Sequence, residues 1–358
     1  DRVPLLRKLI SALIKEASAT NSLDSVLFVV VDLINRIGSN LIYCPRERAL
    51  FAELNSRAGS KAIAVPDFAG AVIYAENGIA LLSETCWETQ YDLSLRLYET
   101  SVLSHFSNNT VDRSKLMARI NTICERAKDF SDKFNTHRVS TQVLSMTQLP
   151  VAIEQCLVAL ENLGEPLDLS SIDYIKTCEE LLKHDVCFSG NTLMSKPLTD
   201  SNKEKAMMTM TSLILYYSQR KSFLGAVVSC RMIEMSMNFG YCADTIHGAT
   251  AFAISLVTCL GDIDGGNVWG RKAMALMKVC SRPNLIPTIS ASLYTYVFVW
   301  KEPFQSSLEV LAEGIRSSFI YGHVEYAKGF TLVYVSRSFH TGKNIRVLTE
   351  EVDALTRQ

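Results

Sequence analysis

The stretch PDFAGAVIYAENGIALL, residues 66–82, is written a second time in this chain as GDIDGGNVWGRKAMALM, residues 261–277. Aligned end to end, the two stretches place Gly266 on Ala71, an offset of 195 residues. Three further segments fit the same frame of small and apolar residues: Ala152/Cys156/Ala159, Phe223/Ala226/Cys230 and Phe304/Ser307/Leu311/Gly314. Their offsets of 81, 155 and 236 residues, together with 195, correspond to two, four, six and five steps of about 40 residues. A fixed period of this size is typical of a helical solenoid, in which each unit packs on its neighbours.

The segments between these marks have helical periodicity, and no convincing strand pattern is present. Helix starts are predicted at prolines of the first turn, and helix ends at glycines. The proline-initiated helices are predicted over residues 46–65, 68–83, 151–163, 288–300 and 304–321, and the terminating glycines are Gly164, Gly240, Gly261, Gly322 and Gly342. Short turns between such helices favour antiparallel neighbours, so we expect an all-α fold of about 16 helices.

Small residues seven positions apart give the repeat a physical basis. Ala71 and Gly78, like Gly266 and Ala273, lie two turns apart on one helix face, where they let a partner helix approach closely. This scheme resembles that of tetratricopeptide (TPR) arrays, with a period longer than their usual length of about 34 residues. The expected fold class is therefore all-α: a TPR-like α-solenoid of antiparallel helix pairs with a period near 40 residues.

The pattern divides the chain into four predicted parts. Residues 1–43 are a helical junction, 44–182 the first half of the TPR-like array, 183–201 a loop or hinge, and 202–358 the second half. The hinge is predicted because the repeat frame is lost there and turn-forming residues cluster at its end.

Composition argues against several classes of partner. The net charge is −1, from 36 basic and 37 acidic residues that are well mixed, so we expect neither nucleic acid nor a membrane surface as partner. The longest apolar run, residues 250–261, is shorter than the roughly 20 residues that a membrane-spanning helix needs. The ten cysteines form no CxxC pair, which favours reduced core residues in a cytoplasmic protein.

The sequence contains no motif for catalysis or for cofactor binding. GxxxxGK[ST], GxGxxG, GxSxG and HExxH are all absent. Residues 261–267 have the look of a calcium loop, but Ala273 stands where the bidentate glutamate is needed. His184, His247, His323 and His340 lack metal-ligand spacing, and the last two are expected at helix ends. We therefore expect no enzyme activity, no metal and no cofactor in this segment.

Aromatic residues are the best candidates for an interaction surface. Trp87, Tyr91 and Tyr98 recur at spacings of four and seven, which predicts one stripe of a helix, and Trp300 ends an aromatic run that begins at Tyr294. Such stripes usually form core between repeats. The alternative is a groove for a ligand or peptide, where solenoids keep amphipathic rings.

Several runs are similar to one family of proteins. They are DRV at residues 1–3, LFVVVDLINR at 27–36, RALFAELNSRAGSKA at 48–62, GIALL at 78–82, CWE at 86–88, YDLSLRLYE at 91–99, LENLGE at 160–165, VWK at 299–301 and GHVEYA at 322–327. They resemble the helical region of large signalling proteins with an AAA/STAND-type (Orc1-like) predicted ATPase, often fused to serine/threonine kinase, GAF and histidine kinase domains. The resemblance spans almost the whole chain and is lost over residues 177–201.

This resemblance implies that residues 1–43 follow the ATPase region of a longer polypeptide, which hydrolyses ATP and signals through phosphorylation. The chain would then be a non-catalytic scaffold and sensor arm. Its partners would be the neighbouring ATPase and kinase or GAF domains, and a protein or small-molecule signal on its concave face. Two alternatives stay open. One is a helical ligand-binding regulatory domain with a single small-molecule pocket at the Trp87/Tyr91 or Trp300 cluster, and the other is a helical hydrolase with a buried Cys–His contact.

Overall fold

The computed structural model describes residues 2–19, 22–108, 113–169, 176, 180, 196–220, 222–279, 285–321 and 324–356. Helices α1 to α9 are Arg2–Ala19, Leu23–Ile37, Pro45–Ala64, Phe68–Leu81, Cys86–Thr89, Tyr91–Ser107, Arg113–Arg126, Phe130–Ser145 and Leu149–Asn162. Helices α10 to α17 are Ser201–Gln219, Leu224–Phe239, Ala243–Leu260, Ile263–Val279, Ile286–Tyr296, Gln305–Ile320, Val324–His340 and Ile345–Thr356. Short 3₁₀ helices lie at Ser39–Leu41 and Phe298–Trp300. Over these described ranges the β-type pairing is a single bridge between Pro197 and Tyr241, so the predicted all-α fold is confirmed.

Proline and glycine set the helix boundaries largely as predicted. Pro45 is the first residue of α3, and α9 and α14 each carry proline in their first two positions. Four of the five predicted terminating glycines have a positive φ, which other residues adopt only with strain; these are Gly164, Gly240, Gly261 and Gly342. Gly322 lies outside the described residues. The helix predicted over 288–300 ends earlier, at Tyr296, and the chain continues in a 3₁₀ turn that buries Phe298.

The chain forms two compact units, residues 1–140 and 141–358. In the first unit α1 packs on α2, α2 on α3, and α3 on both α4 and α6. Apolar side chains from these helices form one core cluster, which includes Val30, Leu54, Ala71 and Leu97. The four predicted parts of the chain stay a prediction, since this division follows compactness alone.

In the second unit every helix from α10 to α16 packs on the helix that follows it in sequence. The even-numbered helices also contact one another: α10 packs on α12, α12 on α14, and α14 on α16. Buried residues of α11 to α14 form one apolar cluster around Phe252 and Trp269, and those of α14 to α17 form another around Leu311 and Phe330.

The predicted hinge over residues 183–201 lies mainly outside the described residues. Its end is described, and it is held to the turn between α11 and α12. Leu198 N donates to Tyr241 O at 2.8 Å, and Tyr241 N donates to Lys196 O at 2.9 Å. Asp200 then caps α10 by accepting from Asn202 N and Lys203 N.

The two stretches that repeat in sequence also share their local structure. Asp67 accepts a hydrogen bond from Gly70 N at 2.9 Å, and Asp262 accepts one from Gly265 N at 2.8 Å. Each aspartate is therefore an N-cap, which satisfies a backbone donor that the helix leaves free. This explains the aspartate-rich residues 261–267 without a bound ion.

The frame of small residues marks one buried face on five helices. The residues aligned with Ala71 are all buried in α4, α9, α11, α13 and α15: Ala71, Ala152, Ala226, Gly266 and Ser307. At Gly266 the helices are in backbone contact, because an added Cβ would lie 2.3 Å from Val257 Cγ2 and 3.0 Å from Ala253 O. The close approach predicted at these positions is therefore confirmed for the pair α12 and α13.

We expect Gly266→Ala to lower the free energy of unfolding by about 1–3 kcal/mol, because overpacking against a β-branched side chain and a carbonyl outweighs the gain in helix propensity. The matched control is Gly329→Ala in α16, where an added Cβ meets nothing within 4 Å. That variant should be more stable than wild type by up to about 1 kcal/mol. Urea unfolding followed by circular dichroism measures both, and equal effects of the two substitutions would contradict the close packing.

Candidate functional site

The predicted aromatic residues of the first unit meet in one cluster. The ring of Trp87 lies 5.8 Å from that of Tyr91 and 5.2 Å from that of Tyr98, measured between centroids. They do not form a stripe of one helix, as predicted, because the chain leaves helical geometry at Gln90 (φ −140°) between α5 and α6. All three side chains are half-buried. Lys128 Nζ lies 4.0 Å above the ring of Tyr91, so one face of the cluster is already covered by a cation.

Trp300 belongs to the second unit and does not join this cluster. Its side chain is 61% exposed, and its Nε1 donates to Tyr296 O at 3.2 Å. The remainder of the predicted run is more buried, since Phe298 is fully buried and packs edge-to-face on Tyr294 at 5.1 Å. As a site residue Trp300 stays a prediction.

A polar network lies behind the aromatic cluster of the first unit. Arg119 donates to both oxygens of Glu76, at 3.2 and 2.6 Å, and Ser101 Oγ donates to Oε1 at 2.7 Å. His105 Nε2 lies 3.4 Å from the same oxygen, and the Arg119 guanidinium stacks on the ring of Tyr98 at 5.1 Å. Burial by itself would raise the pKa of Glu76, but hydrogen bonds from His105, Arg119 and Ser101 outweigh it and hold that pKa well below its usual range. An ionised carboxylate with these partners ties α4, α6 and α7 together.

The largest concave feature is a groove in the second unit, which the sequence analysis did not find. Its volume is about 620 Å³, within the range of ligand sites. Its walls come from the even-numbered helices that contact one another: α10 contributes Thr211 to Gln219, α12 His247 to Cys259, α14 Thr288 to Tyr296, and α16 Tyr326 to Val333. The start of α11 adds Phe223 and Ala226.

The lining of this groove combines aliphatic side chains with hydroxyl groups. A signal for it exists in the sequence: Thr250, Ile254 and Thr258 follow one face of α12, and Thr288, Ser292 and Thr295 one face of α14. Because single Ser and Thr residues are common in helices, that signal becomes informative only after the helices are known to face a common space. Among the residues listed around the groove by contact, none is Asp, Glu, Lys or Arg.

Histidines and cysteines offer no constellation for catalysis or metal binding in the described part of the chain. No group of three potential ligands comes together there. His340 ends α16 with its Nδ1 2.6 Å from Ser336 O, as predicted for a helix end, whereas His184 and His323 lie outside the described residues. The seven described cysteines are free; Cys178, Cys187 and Cys280 are not described. Burial raises the pKa of Cys156 to about 12 and that of Cys242 to about 11, which makes both poor nucleophiles at neutral pH.

One helix, α12, is long and apolar enough to cross a membrane by length and composition. The sequence analysis counted only its second half, because the Ala, Gly and Thr residues of its first half are only weakly apolar. Its mean hydropathy is 1.3, and 56% of it is buried inside the protein. The core helix of a globular unit has the same properties, so this is weak support for a membrane span.

Comparison with protein families, curated proteins and solved structures found no match to this chain. Arguments about function therefore depend on the residues themselves and on the resemblance described above.

Replacing Glu76 tests the network of the first unit. Because its folded-state pKa is lowered, the ionised carboxylate stabilises the fold above the unfolded pKa of about 4.3, and this stabilisation is lost as the pH falls below that value. We expect Glu76→Gln to lower the free energy of unfolding at pH 7 by about 1–3 kcal/mol, and to weaken its decline below about pH 5.

The control is Glu53→Gln, since Glu53 pairs with Arg96 where both side chains are more than 40% exposed. Its effect should stay below about 1 kcal/mol. Urea titrations at a series of pH values provide the measurement, and indistinguishable pH profiles for wild type and Glu76→Gln would refute the role of the network.

Thiol labelling tests whether a buried cysteine is activated. With iodoacetamide at pH 8, the exposed Cys44 should react about a hundredfold faster than Cys156 or Cys242, whose raised pKa keeps the thiol protonated. Peptide mass spectrometry resolves the three sites. Rapid labelling of Cys156 or Cys242 in the folded protein would instead favour the hydrolase alternative.

Proposed function

We propose that this chain is a non-catalytic, TPR-like helical-repeat scaffold and sensor segment of a multidomain signal-transduction ATPase–kinase in the cytoplasm. The observation that carries this proposal is the order of contacts in the second unit, where each helix packs on the next and alternate helices pack on one another. That order is expected of stacked helix pairs, in which one helix of each pair faces a shared inner surface. Such a surface is suited to binding.

The repeat frame gives independent support to the stacked-pair interpretation. Five helices bury the same frame positions, at offsets that fit a period near 40 residues. In a solenoid the small residue recurs because each pair meets its neighbour in the same way. The matching N-caps at Asp67 and Asp262 are a second feature that the two best-aligned repeats share.

The signalling context of the proposal comes from the resemblance alone. It assigns the neighbouring ATPase and kinase or GAF domains of the same polypeptide as partners. The sensor would act mechanically: a protein or small molecule bound on the inner surface would favour one packing of the helices over another, and so bias the ATPase. A ligand can shift that balance only by its difference in affinity for the two states.

A second candidate function is a regulatory domain that binds one small molecule, and the groove favours it. Its volume is that of a ligand site rather than of an extended protein interface. It lies beside Tyr296, close in sequence to the predicted Trp300, although Trp300 itself is not part of the wall. The two candidates are compatible if the small molecule is the signal that the scaffold senses.

The gene that encodes this chain provides the test. We expect a Walker A motif in the sequence upstream and a kinase or GAF pattern downstream, and ATP hydrolysis by the longer polypeptide. Gly329→Phe, which fills the groove, should change that hydrolysis rate several-fold, whereas Val268→Phe on the exposed face of α13 should not. Flanking sequence without an ATPase motif, or equal rates in both variants, would count against the proposal.

A further inference from the structure

The groove of the second unit is electrically neutral at its wall. The described residues around it include no carboxylate, ammonium or guanidinium group. Its two titratable rings also tend to be uncharged: burial lowers the pKa of His247, although Asp244 opposes this, and burial raises that of Tyr326. Asp244 itself is not in the wall, and it accepts a hydrogen bond from Thr211 at 2.7 Å. An ion entering this groove would lose its hydration without gaining a counter-charge.

Most hydroxyl protons of the groove are already used within the helices. Ser255 and Thr258 of α12 donate to the carbonyls four residues earlier, each at 2.8 Å. Ser292 and Thr295 of α14 do the same, at 3.0 and 2.7 Å. A hydroxyl that donates to its own helix keeps only its lone pairs for other partners. These residues therefore present hydrogen-bond acceptors and methyl or methylene groups to the groove.

Two hydroxyls differ from the rest. Thr250 on α12 and Thr288 on α14 both belong to the wall and are each 4% exposed. Neither Oγ1 has a hydrogen-bond partner among the described residues. A buried polar group without a partner destabilises the folded state, and in native structures it commonly marks a position where a further molecule binds. They are the polar part of a largely apolar space.

We propose that this groove binds an uncharged small amphiphile, with an apolar body and one neutral head group able to donate and accept hydrogen bonds, such as an alcohol or an amide. The inference rests on the proposed sensor function and names its signal. The volume of about 620 Å³ admits a molecule of that class. The head group would lie at Thr250 and Thr288, and the apolar body along Ile254, Ile289 and Val333.

The test measures binding of the neutral fluorophore N-phenyl-1-naphthylamine to the full chain, and its displacement by three ten-carbon competitors: 1-decanol, decanoate and decyltrimethylammonium. We expect saturable one-site binding, with decanol effective at concentrations at least about tenfold below those of either ion. Displacement by an ion as effective as that by decanol would overturn the ligand class, while leaving the groove as a binding site.

Variants show whether the fluorophore occupies this groove. Gly329 is exposed and an added side chain there meets open space, so Gly329→Phe should abolish fluorophore binding without unfolding the chain. Val268→Phe, at a 45% exposed position outside the wall, should bind as wild type does. Thr250→Val with Thr288→Val should weaken decanol about fivefold and leave the fluorophore unaffected, since only decanol carries a hydroxyl.

Three results would overturn the inference. The first is unchanged fluorophore binding by Gly329→Phe, and the second is no binding by wild type. In the third, Gly329→Phe changes the oligomeric state in size-exclusion chromatography, so that a second copy of the chain is the occupant. A failure of this kind is distinct from failure of the proposed sensor function, which the flanking sequence and the ATPase rates decide.

Discussion

The rest of this structure depends on the close approach of neighbouring helices at residues with little or no side chain. At Gly266 the space for a Cβ is taken by Val257 and by the Ala253 carbonyl, and at Gly314 an added Cβ would lie 2.5 Å from Ala291 Cβ. Dispersion attraction weakens steeply as surfaces separate, so helices at this spacing gain contacts that larger residues would prevent. The small residue therefore determines which face of each helix is turned to its neighbour.

This constraint also explains where the groove lies. In the second unit the odd-numbered helices α13 and α15 carry Gly266 and Gly314, and pack these small residues against the even-numbered helices α12 and α14. The remaining faces of α10, α12, α14 and α16 are then free to line a common space. Their Ser and Thr side chains suit that position because each hydroxyl can be satisfied within its own helix while the groove is empty. Formal charge is instead kept in networks such as that of Glu76 and Arg119 in the first unit.

Helix boundaries could be predicted from the sequence because they depend on local chemistry. Pro45 begins a helix and Gly261 ends one through their own backbone preferences, whatever surrounds them. The aromatic cluster could be predicted only in part: the spacing of Trp87, Tyr91 and Tyr98 suggested proximity, but the break at Gln90 puts them on two helices. The groove was not predicted, because its wall combines residues more than 100 positions apart, from Thr211 to Val333, and no motif connects them.

Native-state hydrogen exchange of the full chain, with and without 1-decanol, tests the central claim most directly. Exchange reports local opening, and a bound ligand protects the helices that it contacts. The account predicts added protection in α10, α12, α14 and α16, with little change in the first unit, residues 1–140. Protection confined to the first unit around Trp87, or no change in any helix at saturating decanol, would contradict it.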